Sequence, residues 1–384
     1  MYFRYYCPTE VIFGRGSIKE VGQVVRNFGS RALLVVGRRF AKESGYLDKI
    51  TKLLQEAGVE VHVFSGVEPN PSTETAQRCS EFARERGSEV IVAFGGGSVI
   101  DVGKAAAVVA VQGGRVEEYL YPKVVTGNAL PIVAIPTTCG TGSEVTKNSV
   151  LTIVKEKRKV VVVGPAIIPK VAIVDPDVIR YLPPKLITWT AMDALSHALE
   201  AYVSKRSTPI SDVLALEAIK LIIENVERAA KGDETAQEKL HLAATLAGMA
   251  INVAGTVLVH AMGYYLTTHH DVHHGLANAL TLPYVLELDL QHIPRDKVEK
   301  LLHLLNVETV QDLIIKLCKL LDRVEIPNSV KDVGVQEEEL ETYVKHTLGY
   351  RRNLENNPIE VTEDIVRNLI SKALSGRKGT YRYH

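Results

Sequence analysis

The stretch VIVAFGGGSVIDVGKAAAVVA, Val90 to Ala110, decides the fold. Val90 to Phe94 is apolar throughout, as a strand covered on both faces should be. Gly95, Gly96, Gly97 and Ser98 follow, and then an alanine-rich segment of helical character. A strand, a glycine turn and a helix start in that order make a phosphate cradle, because glycines let the backbone approach and the first N–H groups of the helix point at an anion. Ser98 and Asp101 stand at capping-box spacing and also read as simple caps of that helix. Alone, the triple glycine fits a tight turn of an α/β sheet equally well.

Working outward, further β-branched runs lie at Ala32 to Val36, Val61 to Phe64, Ile132 to Ile135, Val160 to Val163 and Val171 to Val174. Between them, Tyr46 to Ala57 and Thr73 to Arg86 have helical spacing and length. The alternation reads as a doubly wound α/β domain, Rossmann-like, over residues 1–178. A second loop of glycines and hydroxyls, Pro136 to Glu144, follows the run ending at Ile135. Doubly wound sheets bind ligands at the carboxyl ends of their strands, so two such loops suit a dinucleotide better than a single phosphate. After Asp175, Pro176, Pro183 and Pro184 the valine runs vanish, and residues 179–384 read as an all-helical domain. The tail, Ser375 to His384, is basic and aromatic and reads as a surface or subunit-contact segment.

Composition removes whole classes of function. With 384 residues, 46% hydrophobic and 23% charged, the chain can bury a large core, so most of it folds. Lys plus Arg and Asp plus Glu number 45 each, which leaves no net field for nucleic acid or anionic lipid. No apolar run approaches a membrane helix, and MYFRYYCPTE lacks the blocks of a signal peptide, so a cytoplasmic protein is expected. Cys7, Cys79, Cys139 and Cys318 form no CxxC pair, so neither a disulfide framework nor a thiolate zinc site is indicated.

Metal ligands must therefore come from nitrogen and oxygen. LITWTAMDALSHALEAYV, Leu186 to Val203, is apolar on nearly every side and carries Asp193 and His197 at i and i+4. That spacing puts both on one helix face, where a buried carboxylate needs a partner or a metal. A hydrogen-bonded pair without metal fits the same residues. Five of the 12 histidines fall at His260, His269, His270, His273 and His274. As one straight helix, 260 to 274 would span about 21 Å, too far for shared coordination, so the chain must bend, and Thr267 to His274 is the place. Three imidazoles and one carboxylate would suit Fe(II) or Zn(II).

Together, GGGSVIDVGK at 95–104, PTTCGTGSEVT at 136–146, DALSHALEAY at 193–202 and HHGLANAL at 273–280 resemble the iron-containing (group III) alcohol dehydrogenase family over about residues 1–290. The resemblance implies metal ligands at Asp193, His197, His260 and His274. It implies a dinucleotide site drawn from Gly37, Arg38, Arg39, Asn70, Gly95, Gly96, Gly97, Ser98, Asp101, Thr137, Thr138, Thr141, Ser143 and Thr146. It further implies a homodimer or larger assembly. The family often has a second histidine four residues beyond the third ligand, where this chain has Tyr264, so Tyr264 and His270 are the candidates for proton transfer. His269 and His273 are expected to be solvated, and Cys139 fills a small-residue loop position by packing.

NAD-preferring relatives often end the strand matching Ala32 to Val36 with Asp. Here Gly37, Arg38 and Arg39 follow, which removes the acid, leaves space and supplies guanidinium groups that can clamp a 2′-phosphate, so NADP(H) is expected over NAD(H). Two arginines after a strand are otherwise ordinary solvated residues. The expected reaction is reversible oxidation of a small alcohol to an aldehyde or ketone. Rival readings are a glycerol dehydrogenase-like polyol oxidoreductase, a dehydroquinate synthase-like lyase of the same two-domain plan, and a nucleotide-binding regulator without turnover. The lyase would need a dense basic pocket that the helical half does not offer, and the regulator would not need a complete ligand set.

Overall fold

The computed structural model describes residues 2–383, which divide into two compact units. One is Tyr6–Leu182, and the other runs from Pro183 onward and includes the residues before Tyr6. The boundary expected at 178/179 thus moves to 182/183. Asp175 accepts N–H bonds from Gly16, Ile18 and Asp177, and so ties the short Pro176–Ile179 helix to the α/β unit.

The α/β unit has eight strands: β1 (Glu10–Phe13), β2 (Arg31–Gly37), β3 (Glu60–Val67), β4 (Val90–Gly95), β5 (Ile132–Pro136), β6 (Asn148–Ile153), β7 (Arg158–Val163) and β8 (Val171–Val174). Six form one parallel sheet in the order β1-β8-β5-β4-β2-β3. The alternation of β4 explains its two-sided burial. Ile91 and Ala93 enter the core on one face with Leu33 and Val102, while Val90, Val92 and Phe94 enter the core on the other with Leu34 and Ile50. Each of these side chains larger than alanine contributes about 1.5–3 kcal/mol when fully buried.

Two strand readings need correction. The valine run at 160–163 belongs to β7, which pairs antiparallel with β6 in a separate two-stranded ribbon turning at Lys157. β1 lies at the sheet edge beside β8, and its four part-exposed residues carry too weak a pattern to be read.

The second unit is helical, and among its described residues no strand occurs. Its first helix, Pro184–Val203, starts with proline at N1, where no intrahelical N–H is lost. Helices Pro209–Ala230, Glu234–Ala254, Leu258–His269 and His274–Leu290 follow. The Glu234–Ala254 and Leu258–His269 helices meet at 111°, at a break that includes Gly255. The chain breaks again at residues 270–273, the bend required if the histidines were to meet. No single helix is long and apolar enough to cross a membrane.

The tail is only partly at the surface: Ser375, Lys378, Gly379 and Arg382 are exposed, but its other side packs inward. Arg377 is fully buried and donates to the carbonyls of Pro327 and Ile326 and to Asp322, and Tyr381 and Tyr383 are also buried. A guanidinium that satisfies several acceptors can be buried, which a count of tail charges does not reveal. His384 lies outside the described residues.

Candidate metal centre and dinucleotide loops

Within the helical unit the four expected ligands converge. The Pro184–Val203 helix supplies Asp193 and His197, the Leu258–His269 helix supplies His260, and His274 opens the helix after the break. Asp193 Oδ1 lies 3.9, 3.8 and 3.7 Å from the Nε2 atoms of His197, His260 and His274, and the Nε2 atoms of His197 and His260 are 3.0 Å apart. Asp193, His260 and His274 have ligand atoms all within 4.8 Å of one another, and Asp193, His197 and His260 keep theirs within 3.9 Å. Ligands about 2.1 Å from one ion stand roughly 3.4 Å apart in a tetrahedron, so this donor set fits a single divalent ion. Gly275 is demanded by packing, since a Cβ there would lie 1.9 Å from the Trp189 carbonyl oxygen.

Two buried residues beyond the expected set hold these ligands in place. Glu200 pairs with His260 Nδ1 and accepts the N–H groups of Val257 and His260, so one carboxylate orients the imidazole and caps the bent helix. Asn278, one turn after His274, donates to Asp193 Oδ1 at 2.9 Å and lies 3.2 and 3.3 Å from the Nε2 atoms of His260 and His274. Burial would push the Asp193 carboxyl up, but the imidazoles of His197, His274 and His260 outweigh it and hold it at about 2. Glu200 was detectable in principle, as a second acid one face-turn beyond His197 in an apolar helix.

Of the proton-transfer candidates, Tyr264 stacks on His274 with ring centroids 5.7 Å apart, and burial pushes its phenol well up. His270 is held elsewhere, with Nε2 2.8 Å from a Glu339 carboxylate that also accepts from the Tyr265 hydroxyl. His269 and His273 are not solvated loop residues. His269 belongs to a helix and stacks on Tyr265, while His273 packs against Trp189 at 5.3 Å and its Nδ1 is buried without a partner. Tyr265 in the same helix and His346 flank the first ring, and Trp189 covers the second.

In the α/β unit the glycine turn and the second loop meet at the carboxyl ends of β4 and β5. Gly95 pairs with Pro136, and the Thr137 N–H donates to the Gly95 carbonyl. The Gly97–Gln112 helix takes Gly96 as its N-cap with no side-chain cap, so Ser98 and Asp101 do not form a capping box. The glycines are required by contact: a Cβ on Gly97 would lie 2.5 Å from Thr141 Cγ2, and one on Gly96 would lie 3.2 Å from Thr138 Cγ2. Gly96, Ser98, Thr138 and Thr141 keep part of their surface exposed, whereas Gly95, Gly97, Thr137, Ser143 and Thr146 are buried.

Asp101, Ser143 and Thr146 turn inward. Asp101 accepts from Ser143 Oγ at 2.6 Å and from the Val150 N–H at 2.9 Å, and Lys104 Nζ donates to Ser143 and Thr146. Asn70 has φ +54° and its Oδ1 accepts from buried Lys159. Lys104 and Lys159 were both missed, because a lysine in sequence looks like surface. Gly37 ends β2 beside β4, with only ordinary contacts around its missing Cβ, and Arg38 and Arg39 are exposed. Cys139 is fully buried.

Comparison with known proteins agrees with this architecture. Residues 8–176 match the family model for iron-containing alcohol dehydrogenase, and 187–374 match the model for the C-terminal domain of the same family. A Bacillus methanolicus NAD-dependent methanol dehydrogenase is 33% identical, with 96% of this chain and 99% of that one aligned. A Clostridium saccharobutylicum NADPH-dependent butanol dehydrogenase is 36% identical, over 89% of each chain. An iron-containing alcohol dehydrogenase structure from Thermotoga maritima superposes with a TM-score of 0.88 at 37% identity, over 97% of this chain and all of that one. The chain belongs to the iron-containing alcohol dehydrogenase family, as an NAD(P)-dependent enzyme moving hydride between the dinucleotide and a small alcohol or aldehyde.

Proposed function

We propose that Asp193, His197, His260 and His274 hold one divalent ion, Fe(II) in the native protein, and that the enzyme works in the cytoplasm as a homodimer or larger assembly, preferring NADP(H). The convergence of three Nε2 atoms on Asp193 Oδ1 carries the metal reading, and three imidazoles with one carboxylate accept Zn(II) as well. When bound, the ion supplies Lewis acidity toward the substrate oxygen and the dinucleotide supplies or takes the hydride. His274 is the most exposed ligand, with 26% of its side chain accessible, so substrate approaches along it. Tyr264, stacked there and kept protonated by burial, serves as a proton-donating wall rather than a base.

The exposed portions of the glycine turn and second loop receive the dinucleotide, and Gly37 with Arg38 and Arg39 receives a 2′-phosphate. Stripping the protein with a chelator and adding back Fe(II) or Zn(II) tests the first part: aldehyde-dependent NADPH oxidation should return at one ion per chain. Turnover in metal-free protein would sink it. For the second part, kcat/KM is compared for NADPH and NADH before and after Gly37→Asp, whose Cβ would make only ordinary van der Waals contacts. Loss of one arginine–phosphate contact and gain of a repelling carboxylate should shift the ratio about ten- to a hundredfold toward NADH. Equal efficiencies in the parent would refute the preference.

A further inference from the structure

Lys104 is fully buried in the Gly97–Gln112 helix, yet nothing in the hydride reaction uses it. Its Nζ donates to Ser143 Oγ at 2.7 Å, to the Asn148 carbonyl at 2.8 Å and to Thr146 Oγ1 at 3.0 Å, and lies 3.9 Å from Asp101 Oδ1. An ammonium has three protons, and these three acceptors use them all. The acceptors belong to the second loop and its exit into β6, while Asp101 ties the same loop through Ser143 and β6 through Val150. A buried charge of this kind is weak support for stability, since a well-packed apolar side chain usually does as well.

We propose that Lys104 is a positioning residue for the dinucleotide: its ammonium holds the 137–146 loop against the glycine turn in the form that receives the cofactor. The proposal rests on the reading that these two loops bind the dinucleotide. A neutral amine keeps only two N–H donors and turns a lone pair toward one of the three acceptors, so deprotonation releases one anchor of the loop. The charges facing Lys104 are Asp101 on its own helix and Glu144 on the loop, both favouring the ammonium, and Lys159 on β7 shares the Asp101 carboxylate. Burial outweighs them and brings Lys104 from the ordinary lysine range down to about 8.

The sign follows. Below pH 8 the ammonium is present and the loop is held; as pH rises through 8 the proton leaves and dinucleotide affinity falls. By linkage, binding above pH 8 takes up a proton. Stability moves the other way, because the unfolded chain keeps this proton to higher pH and folding is favoured as pH rises across that window. Weaker binding there is therefore not a symptom of unfolding.

The test titrates NADPH and NADH by nicotinamide fluorescence from pH 6.5 to 9.5, with proton uptake read by calorimetry in buffers of different ionisation enthalpy. The parent should lose about tenfold in affinity across the range, the scale of one hydrogen bond to a charged group, and should take up a proton at pH 8.5. Lys104→Met should be about tenfold weaker already at pH 7, flat with pH and without uptake, with kcat at saturating cofactor little changed. Lys104→Arg, which keeps its charge, should restore part of the affinity and stay flat. Lys159→Met should retain the uptake. A flat parent profile, uptake that vanishes in Lys159→Met alone, or an unchanged Lys104→Met overturns the proposal; because burial brings Lys159 to about 8 as well, if Lys104→Met does not fold, loss of uptake in Lys104→Arg with its retention in Lys159→Met decides. Gly97→Val separates the two readings. If it weakens binding and Lys104→Met does not, only the Lys104 proposal fails, and if neither does, the loops are not the dinucleotide site.

Discussion

The candidate ligand cluster of the helical unit consists of side chains, whereas the loops at the ends of β4 and β5 depend on side chains that are missing. Asp193, His197, His260 and His274 bring lone pairs to one point, with Glu200 and Asn278 behind them. At Gly96 and Gly97 the backbone itself is presented, and the nearby polar side chains of Asp101, Ser143 and Thr146 bond to one another or to Lys104. The first kind of site is damaged by truncating a residue, and the second by enlarging one.

Four substitutions or readouts can break that contrast. His274→Ala should have the largest effect, lowering bound metal and turnover by more than the 10- to 100-fold typical of an outer partner, while His269→Ala leaves metal content intact. Full occupancy by elemental analysis in His274→Ala would remove that residue from the ligand set. Glu200→Gln keeps the shape and loses the charge behind His260, and should weaken metal affinity about 10- to 100-fold in a chelator competition. An unchanged affinity would make Glu200 a helix cap only. Gly97→Val drives a branched side chain into Thr141 and should cost about 1–3 kcal/mol, read as weaker dinucleotide binding with normal metal content. Lost metal in that variant would mean the damage is global. The smallest effect is optical: Trp189 packs on His273, the neighbour of His274, so its emission should move when the stripped protein is reloaded with metal. A constant spectrum would mean that Trp189 does not sense the cluster.

Legibility in the sequence followed the same divide. β2, β4, β5 and β8 were readable because strands buried on both faces are apolar without interruption; β7 was found by its valine run but not its antiparallel pairing with β6, and β1 and β6 were not read, because one-sided or short strands mix polar residues in. The i,i+4 pair and the histidine bend limited where a cluster could form, and the family resemblance picked His260 and His274 out of the five later histidines. Glu200 is visible as an acid in the apolar helix, but its reach to His260 across 60 residues, like that of Asn278 to Asp193 across 85, is encoded in no local pattern. Lys104 and Arg377 were invisible for a third reason. Their burial depends on acceptors supplied by distant loops, and composition counts them simply as surface charge.

The neighbouring of β1 and β8 bears on how the α/β unit assembles. Glu10 stands beside Val171, so the pairing closes a loop of about 160 residues, and Asp175 then bonds the Gly16 and Ile18 amides across the same seam. The central strands can pair as they appear, but this edge must wait until β8 exists, and non-local parallel pairing of this kind is slow to form. During synthesis the unit therefore passes through a stage with β1 unattached and one flank of the sheet open, and the residues at that seam should be the last to gain protection from hydrogen exchange.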